Sequence, residues 1–175
     1  MGEQICKDVS KAWATISNQK SSIVCARYAN PVGSHESGKL PENPVGTAMN
    51  LYAVISEVVT GKRERLSVFG NDYPTRDSSC ERDFIHVYDL AEAHVAIITK
   101  MLQENSALVE RGYEEMNVGT GKGTTVFEMI ELMKQKHGKD IPFDIVSRRP
   151  GDAASIVVAV DKIEKLIGWK SKRAI

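Results

Sequence analysis

Apolar and polar positions fall into blocks along the chain, and the spacing within each block predicts an element. Ile5, Val9 and Ala12 recur near helical spacing with charges between them, which predicts the end of a helix over residues 1–12. No Ser, Thr, Asp or Asn precedes it as a cap, so the chain reads as opening inside a helix. Residues 22–28 form a short apolar run, read as a buried strand that Asn30-Pro31-Val32-Gly33 ends. Residues 33–46, rich in Gly, Pro and Ser, predict a loop of a length that tends to carry function. Residues 47–60 predict a helix closed by Gly61, residues 65–69 a strand, and residues 70–82 a second polar loop. Phe84-Ile85-His86-Val87 predicts a brief strand, after which Asp89 is expected to cap a helix over residues 90–102. Met116-Asn117-Val118 leads into the turn Gly119-Thr120-Gly121. Thr125 then caps a helix through Val126, Ile130 and Met133 that Gly138 stops. Residues 141–146 predict a strand, 148–152 a turn, and 161–167 a short helix ended by Gly168. Strands alternating with helices argue an α/β fold.

Composition narrows the function classes. The 175 residues, 42% apolar and 26% charged, suit one globular domain or part of a larger one. Folding buries roughly 70% of the extended chain's surface at this size. Lys+Arg and Asp+Glu number 23 each, and a zero net charge argues against a nucleic-acid partner. No apolar run approaches the ~20 residues that span a bilayer, so no membrane partner is expected. The opening Met1-Gly2-Glu3-Gln4 is not an apolar signal segment. Cys6, Cys25 and Cys80 are odd in number and scattered. The chain therefore reads as cytoplasmic with reduced thiols.

The chemistry-bearing motifs have plain readings beside the interesting ones. Gly119-Thr120-Gly121-Lys122-Gly123 invites a phosphate-loop reading, but Lys122 is followed by Gly rather than Ser or Thr, and the spacing is not G-x-G-x-x-G. A tight strand-to-helix turn is the expectation. His35, His86, His94 and His137 have no metal-ligand spacing, and no metal is expected. His86 reads as a hydrogen-bonded core residue. Arg82-Asp83 and Arg148-Arg149-Pro150-Gly151-Asp152 bring guanidinium forks, which match phosphate oxygens, into two loops. They read either as a clamp on a diphosphate or as solvated surface turns.

Longer stretches decide between those readings. Arg27-Tyr28-Ala29-Asn30-Pro31-Val32-Gly33-Ser34-His35 resembles the R-Y-F-N-P-V-G-A-H segment of the UDP-glucose (UDP-galactose) 4-epimerases. Val68-Phe69-Gly70-Asn71-Asp72-Tyr73-Pro74-Thr75 resembles their V-F-G-N-D-Y-P-T. Arg82-Asp83-Phe84-Ile85-His86-Val87 with Asp89-Leu90-Ala91 resembles R-D-F-I-H-V-x-D-L-A. Asn117-Val118-Gly119-Thr120-Gly121, Arg148-Arg149-Pro150-Gly151-Asp152 and Leu166-Ile167-Gly168-Trp169 complete the run in order. Several segments are shared with other sugar-nucleotide enzymes of the extended short-chain dehydrogenase type; the G-N-D-Y-P-T segment points to the epimerases more narrowly.

The resemblance implies a fold. It is the C-terminal part of a Rossmann-type doubly wound sheet plus the smaller α/β substrate-binding domain. Residues 1–30 would be the tail of the NAD-binding domain and 31–175 mainly the UDP-sugar-binding domain, with about 84–103 and 116–118 returning to the Rossmann domain. Residues 22–28 and 116–118 are then expected in one parallel sheet. The implied activity is interconversion of UDP-glucose and UDP-galactose with tightly held NAD as cofactor. A Tyr of Y-x-x-x-K takes the proton from the sugar 4-hydroxyl as hydride passes to NAD, its pKa lowered by the Lys. Here Tyr28, Tyr52, Tyr73, Tyr88 and Tyr113 are followed four positions later by Val32, Ser56, Asp77, Glu92 and Asn117. No glycine fingerprint for the pyrophosphate occurs either. No catalytic residue is therefore assigned, and the chain resembles a fragment, with a catalytically inactive UDP-sugar-binding or interaction remnant as the alternative.

By motif position, Asn30, Asn50, Leu51, Phe69, Arg82, Arg149 and Asp152 match the family's UDP-sugar contacts. Arg82 and Arg149 would meet the diphosphate, Phe69 would lie near the uracil, and Asp152 would orient ribose hydroxyls. Tyr28 and Ala29 match positions beside NAD, with Ala29 in place of the family's Phe. Ile156 stands where a bulky Tyr excludes an N-acetyl sugar and a small residue admits it. Ala48, Met49 and Ala53 replace Pro, Asn and Pro around Asn50, so the helix entry there is expected to differ. Ser78 and Cys80 replace two glycines and Glu81 a Val, which sets Glu81 to compete with phosphate for Arg82. A Ser forced to positive φ costs roughly 1 kcal/mol. The expected partner is a UDP-hexose. The family's homodimer is not expected of this chain, whose first helix lacks its opening turns.

Overall fold

The computed structural model describes residues 1–17, 22–40, 42 and 46–175. Of the loop expected over 33–46, residues 41 and 43–45 lie outside them. The elements run α1 (Gly2–Ile16), β1 (Ile23–Tyr28), β2 (Asn30–Val32), α2 (Leu51–Val59), β3 (Leu66–Phe69), β4 (Glu81–His86), α3 (Val87–Met101), α4 (Ala107–Arg111), β5 (Tyr113–Val118), β6 (Gly123–Thr125), α5 (Val126–His137), β7 (Phe143–Val146), β8 (Ser155–Ile156) and α6 (Asp161–Ile167). The α/β class read from the alternation holds.

Among the described residues three small sheets carry the fold. β1 and β5 pair in parallel from Ile23↔Tyr113 to Tyr28↔Val118, which places residues 22–28 and 116–118 in one parallel sheet as expected. β4 lies between β2 and β6, with β8 also bonded to it. β3 and β7 form a parallel pair from Leu66↔Phe143 to Phe69↔Val146.

Two cores lie on either side of β4. Successive strand residues face opposite ways, so Ile85 enters a core with Ala29, Leu90, Ala93, Met116, Val118 and Ile163, while Phe84 enters a second with Val32, Ile55, Val68, Met129 and Met133. Ile85 and Ile55 are fully buried, and each burial stabilises by about 1.5–3 kcal/mol.

Local signals explain most of the elements. Thr125 caps α5 in a capping box, accepting from Glu128 N–H while the Glu128 side chain accepts from Thr125 N–H, and Gly138 ends the helix in the left-handed region. Gly168 ends α6 likewise. Other expectations are corrected. β1 is half-buried rather than buried, with Arg27 and Tyr28 exposed, because among the described residues only β5 flanks it. Asn30–Val32 is not a terminator but strand β2; it lies at a sheet edge, where the missing N–H of Pro31 is tolerated. The helix expected from 47 begins at Leu51, since Asn50, a favoured N-cap type, takes an extended backbone. His86, not Asp89, caps α3, its Nδ1 accepting from Tyr88 N–H at 3.1 Å. Asp89 is buried and instead accepts the backbone N–H groups of Lys172 and Arg173, both at 2.8 Å, which ties the final residues to α3. The turn at Gly119 joins two strands, β5 and β6, rather than a strand and a helix.

Candidate functional site: a cleft beside the second core

The cleft forms where the carboxyl ends of β3 and β7 release their chains next to β4. Residue Phe69 ends β3, Arg149 follows β7, and Arg82 is the second residue of β4. A cavity of about 460 Å³ opens between them. Asn30, Asn50, Leu51, Phe69, Arg82, Arg149 and Asp152 all line it, so one cleft gathers residues that span most of the sequence. Ile156 does not line it; it sits on β8 in register with Arg82 and is 49% exposed.

The polar groups are arranged unequally. The Arg149 guanidinium lies over the Phe69 ring, 3.8 Å from its centroid, a cation–π contact that presents an aromatic face and a charge together. Arg82 is mostly buried. Its Nη1 donates to the carbonyls of Glu81 at 2.7 Å and Ala153 at 2.8 Å, and its Nη2 pairs with Asp152 Oδ1. The other Asp152 oxygen, Oδ2, faces Cys80 Sγ at 3.8 Å. Asn50 sits at the N-cap of α2 without using its side chain to cap, which leaves the amide for the cleft.

The expected competition of Glu81 for Arg82 is corrected. The Glu81 carboxylate turns away to Ser155 Oγ at 2.6 Å and to Arg76, and those two contacts hold its carboxyl below the usual range. Asp152 stands in that place instead. Arg148 does not join the cleft lining either. Its Nε donates to Asp72 Oδ1 at 2.6 Å and its guanidinium covers the Tyr73 ring, which pins the 70–79 loop to the 148–152 turn. Ser78, at φ 67°, holds the left-handed conformation that a glycine would take without strain. Cys80, Phe84 and Val126 also line the cleft. Cys80 stood out in the sequence as a departure from glycine, and Phe84 as part of a family motif, but neither was assigned to the site.

The Gly119-Thr120-Gly121 turn is not an anion cradle. Asp83, 1% exposed, accepts from Thr120 N–H at 3.0 Å, Gly121 N–H at 2.9 Å and Thr120 Oγ1 at 2.6 Å. At the carboxyl end of β1, where ligands of parallel sheets bind, Tyr28 is 52% exposed and its hydroxyl meets His94 Nε2 at 2.7 Å. Ala29 is buried, its N–H given to Val118 O at 2.8 Å. Tyr28 thus presents an exposed ring at that strand end, whereas Ala29 has no free N–H to offer a phosphate. Among the described residues there is no metal-binding cluster, and no helix is long and apolar enough to cross a membrane.

A family model described as the NAD dependent epimerase/dehydratase family matches residues 1–119. The chain belongs to that family. It is 43% identical over 173 residues to a UDP-glucose 4-epimerase of Cyamopsis tetragonoloba, covering 99% of this chain and 47% of the relative. It is 41% identical over 175 residues to the UDP-glucose 4-epimerase of Bacillus subtilis (strain 168), covering 100% of this chain and 48% of that enzyme. Among epimerase/dehydratase family structures, the Bifidobacterium longum UDP-glucose 4-epimerase in complex with NAD+ and UDP matches with a TM-score of 0.86 and 40% identity, covering 98% of this chain and 48% of that one. The Stenotrophomonas maltophila UDP-glucose-4-epimerase, with bound NAD and formylated UDP-arabinopyranose, matches with a TM-score of 0.88 and 36% identity over 98% and 48%. The chain thus spans about half the length of the relatives it matches.

Proposed function

We propose that this chain is the sugar-nucleotide-binding half of a UDP-glucose 4-epimerase. The observation that carries the reading is the convergence of seven motif residues on one cleft containing two arginines, an aromatic ring, two amides and a carboxylate. Each group suits one part of a UDP-hexose. Arg149 stacked on Phe69 offers a ring face and a cation to the base and its adjoining phosphate. Arg82 provides the second guanidinium for the diphosphate. Asn30 and Asn50 donate to sugar or phosphate oxygens, and Asp152 accepts from ribose hydroxyls.

We assign the first core, with β1, α3 and β5, to the NAD-binding side, and the second core with the cleft to the UDP-sugar side. NAD, bound in the whole enzyme, would supply acceptance and return of a hydride at the sugar. Tyr28 and Ala29 would flank it at the end of β1. The proton at the sugar hydroxyl needs a base that none of the five tyrosines, lacking a Lys four positions on, is equipped to be. The chain by itself is therefore a binder, and turnover belongs to the whole enzyme.

Titration calorimetry with UDP-glucose and UDP-galactose tests the binding. Saturable heat that is lost in Arg149→Ala supports the reading; no heat at millimolar ligand overturns it. A coupled assay of the full-length product with UDP-galactose tests the activity, and absence of UDP-glucose formation there would refute the epimerase assignment.

A further inference from the structure

The two charged groups on the inner wall of the cleft hold each other. Arginine offers five N–H donors in a fixed fork. In Arg82 both donors of Nη1 are spoken for by the carbonyls of Glu81 and Ala153, so a bidentate approach must use the edge that includes Nη2. Asp152 Oδ1 sits on that nitrogen. The pair is mostly withdrawn from water, with side chains 16% and 23% exposed, so solvent screens the carboxylate's charge poorly. Asp152 is itself seated from the far side by the Cys80 thiol, the buried neighbour of its Oδ2. Glu81, the nearer carboxylate in sequence, is removed from the contest by Arg76 and Ser155.

We propose that Asp152 is an internal competitor for Arg82, and that Cys80 is the positioning residue that seats it. The inference rests on the UDP-sugar reading of the cleft. A diphosphate takes the Nη2 edge of Arg82 only as the Asp152 carboxylate swings off it. Once off, the carboxylate becomes the acceptor for the ribose hydroxyls. The ligand's two parts are thereby coupled. A diphosphate alone bears the full cost of displacing Asp152, while a nucleoside diphosphate recovers part of it through the ribose. The cleft would discriminate against free pyrophosphate and phosphate, which share the charge of the ligand but not its sugar.

The test is titration calorimetry of the full chain with inorganic pyrophosphate and with UDP, in Asp152→Asn, Cys80→Ala and Cys80→Ser. Neutralising the competitor in Asp152→Asn should tighten pyrophosphate about tenfold, the size of one charge-assisted hydrogen bond, while UDP gains less or weakens. Cys80→Ala should tighten pyrophosphate about threefold, and Cys80→Ser, whose donor sits on a shorter bond than the thiol now 3.8 Å from Oδ2, should recover part of the original affinity. A charge that merely repels would respond to Asp152→Asn but not to the Cys80 pair, and that result would overturn the seating role. Pyrophosphate unchanged or weaker in Asp152→Asn, with UDP still bound by the unaltered chain, would overturn the competitor and leave the site standing. Failure of every variant and of the unaltered chain to bind UDP would overturn the UDP-sugar reading itself.

Discussion

Arg82 and Asp83 are consecutive on β4 and face opposite ways, and the regions they serve answer the same chemical problem differently. Behind the strand, the amides of Thr120 and Gly121 converge as if on an anion, and the Asp83 carboxylate takes them. In front, the Arg82 guanidinium and the Arg149–Phe69 stack converge, and Asp152 takes a share of Arg82. Both regions thus neutralise themselves with an internal carboxylate. The difference is burial. Asp83 is 1% exposed, whereas the side chain of Asp152 is 23% exposed. A carboxylate sealed among its donors has no path by which a ligand could replace it. One at the wall of a 460 Å³ cleft does. Burial of the internal partner, more than the presence of anion-binding groups, separates a structural turn from a candidate site.

The sharpest way to break this comparison is to remove each carboxylate. Asp83→Ala removes the one carboxylate that accepts from two backbone N–H groups and the Thr120 hydroxyl of a half-exposed turn, and should cost about 2–3 kcal/mol of stability in urea unfolding. Asp152→Ala leaves the mostly buried Arg82 with its two carbonyl partners at the wall of an open cleft, and should cost less, about 1 kcal/mol. Equal losses would erase the distinction. Next in size is Gly119→Ala. An added Cβ would stand 2.3 Å from Val158 Cγ2 and 2.7 Å from Asp83 Oδ2, so the turn must shift, at a cost of about 1–3 kcal/mol by the same assay. An unchanged midpoint would show that the turn is looser than its contacts imply.

Legibility in the sequence followed the range of the interactions. α5 and α6 could be read within a residue or two, because Thr125, Glu128, Gly138 and Gly168 act within a turn of the helix they bound. β2 and β8 were unreadable, because two or three residues become strands only by pairing with β4. Asp89 looked like a cap because its type suits one; its actual partners, the amides of Lys172 and Arg173, lie more than 80 positions away. The cleft shows the same split. Motif resemblance named seven residues that line it, yet it paired Arg82 with adjacent Glu81 rather than with Asp152, 70 positions distant. Side-chain identity travels along a motif, whereas the partner of a charge is fixed by the fold.

A smaller effect should appear at the loop that frames the cleft. Ser78 holds φ 67° with its C=O accepting from Tyr73 N–H at 3.0 Å. Ser78→Gly relieves the left-handed strain but enlarges the unfolded ensemble, so the net gain should be no more than about 1 kcal/mol. A loss of stability in urea unfolding would mean that the Ser side chain contributes more than its backbone costs.

The smallest effect lies in acid, and it probes the N-terminus of α5. The Arg76 guanidinium beside Glu128, with help from Thr125 N–H and against partial burial, holds the Glu128 carboxyl down to about 2 from an ordinary 4.5. Below pH 4.5 the unfolded chain takes up a proton that folded Glu128 declines, so protonation favours unfolding. The stabilisation is therefore fully present above about 4.5 and drains away as the pH falls toward about 2. Asp89 acts in the same direction: burial opposes its charge, but the amides of Arg173 and Lys172 and the Arg173 guanidinium outweigh burial and hold its carboxyl low. The Glu128 side chain is 41% exposed, so water screens its pair with Arg76 and trims the contribution. Glu128→Gln should lower Tm by only about 2 °C at neutral pH and flatten the decline of Tm below pH 4.5, and Asp89→Asn should flatten it in the same direction. If Glu128→Gln instead left the acid limb unchanged, the capping box would stabilise α5 by its hydrogen bonds alone, and charge would be incidental at that end of the molecule.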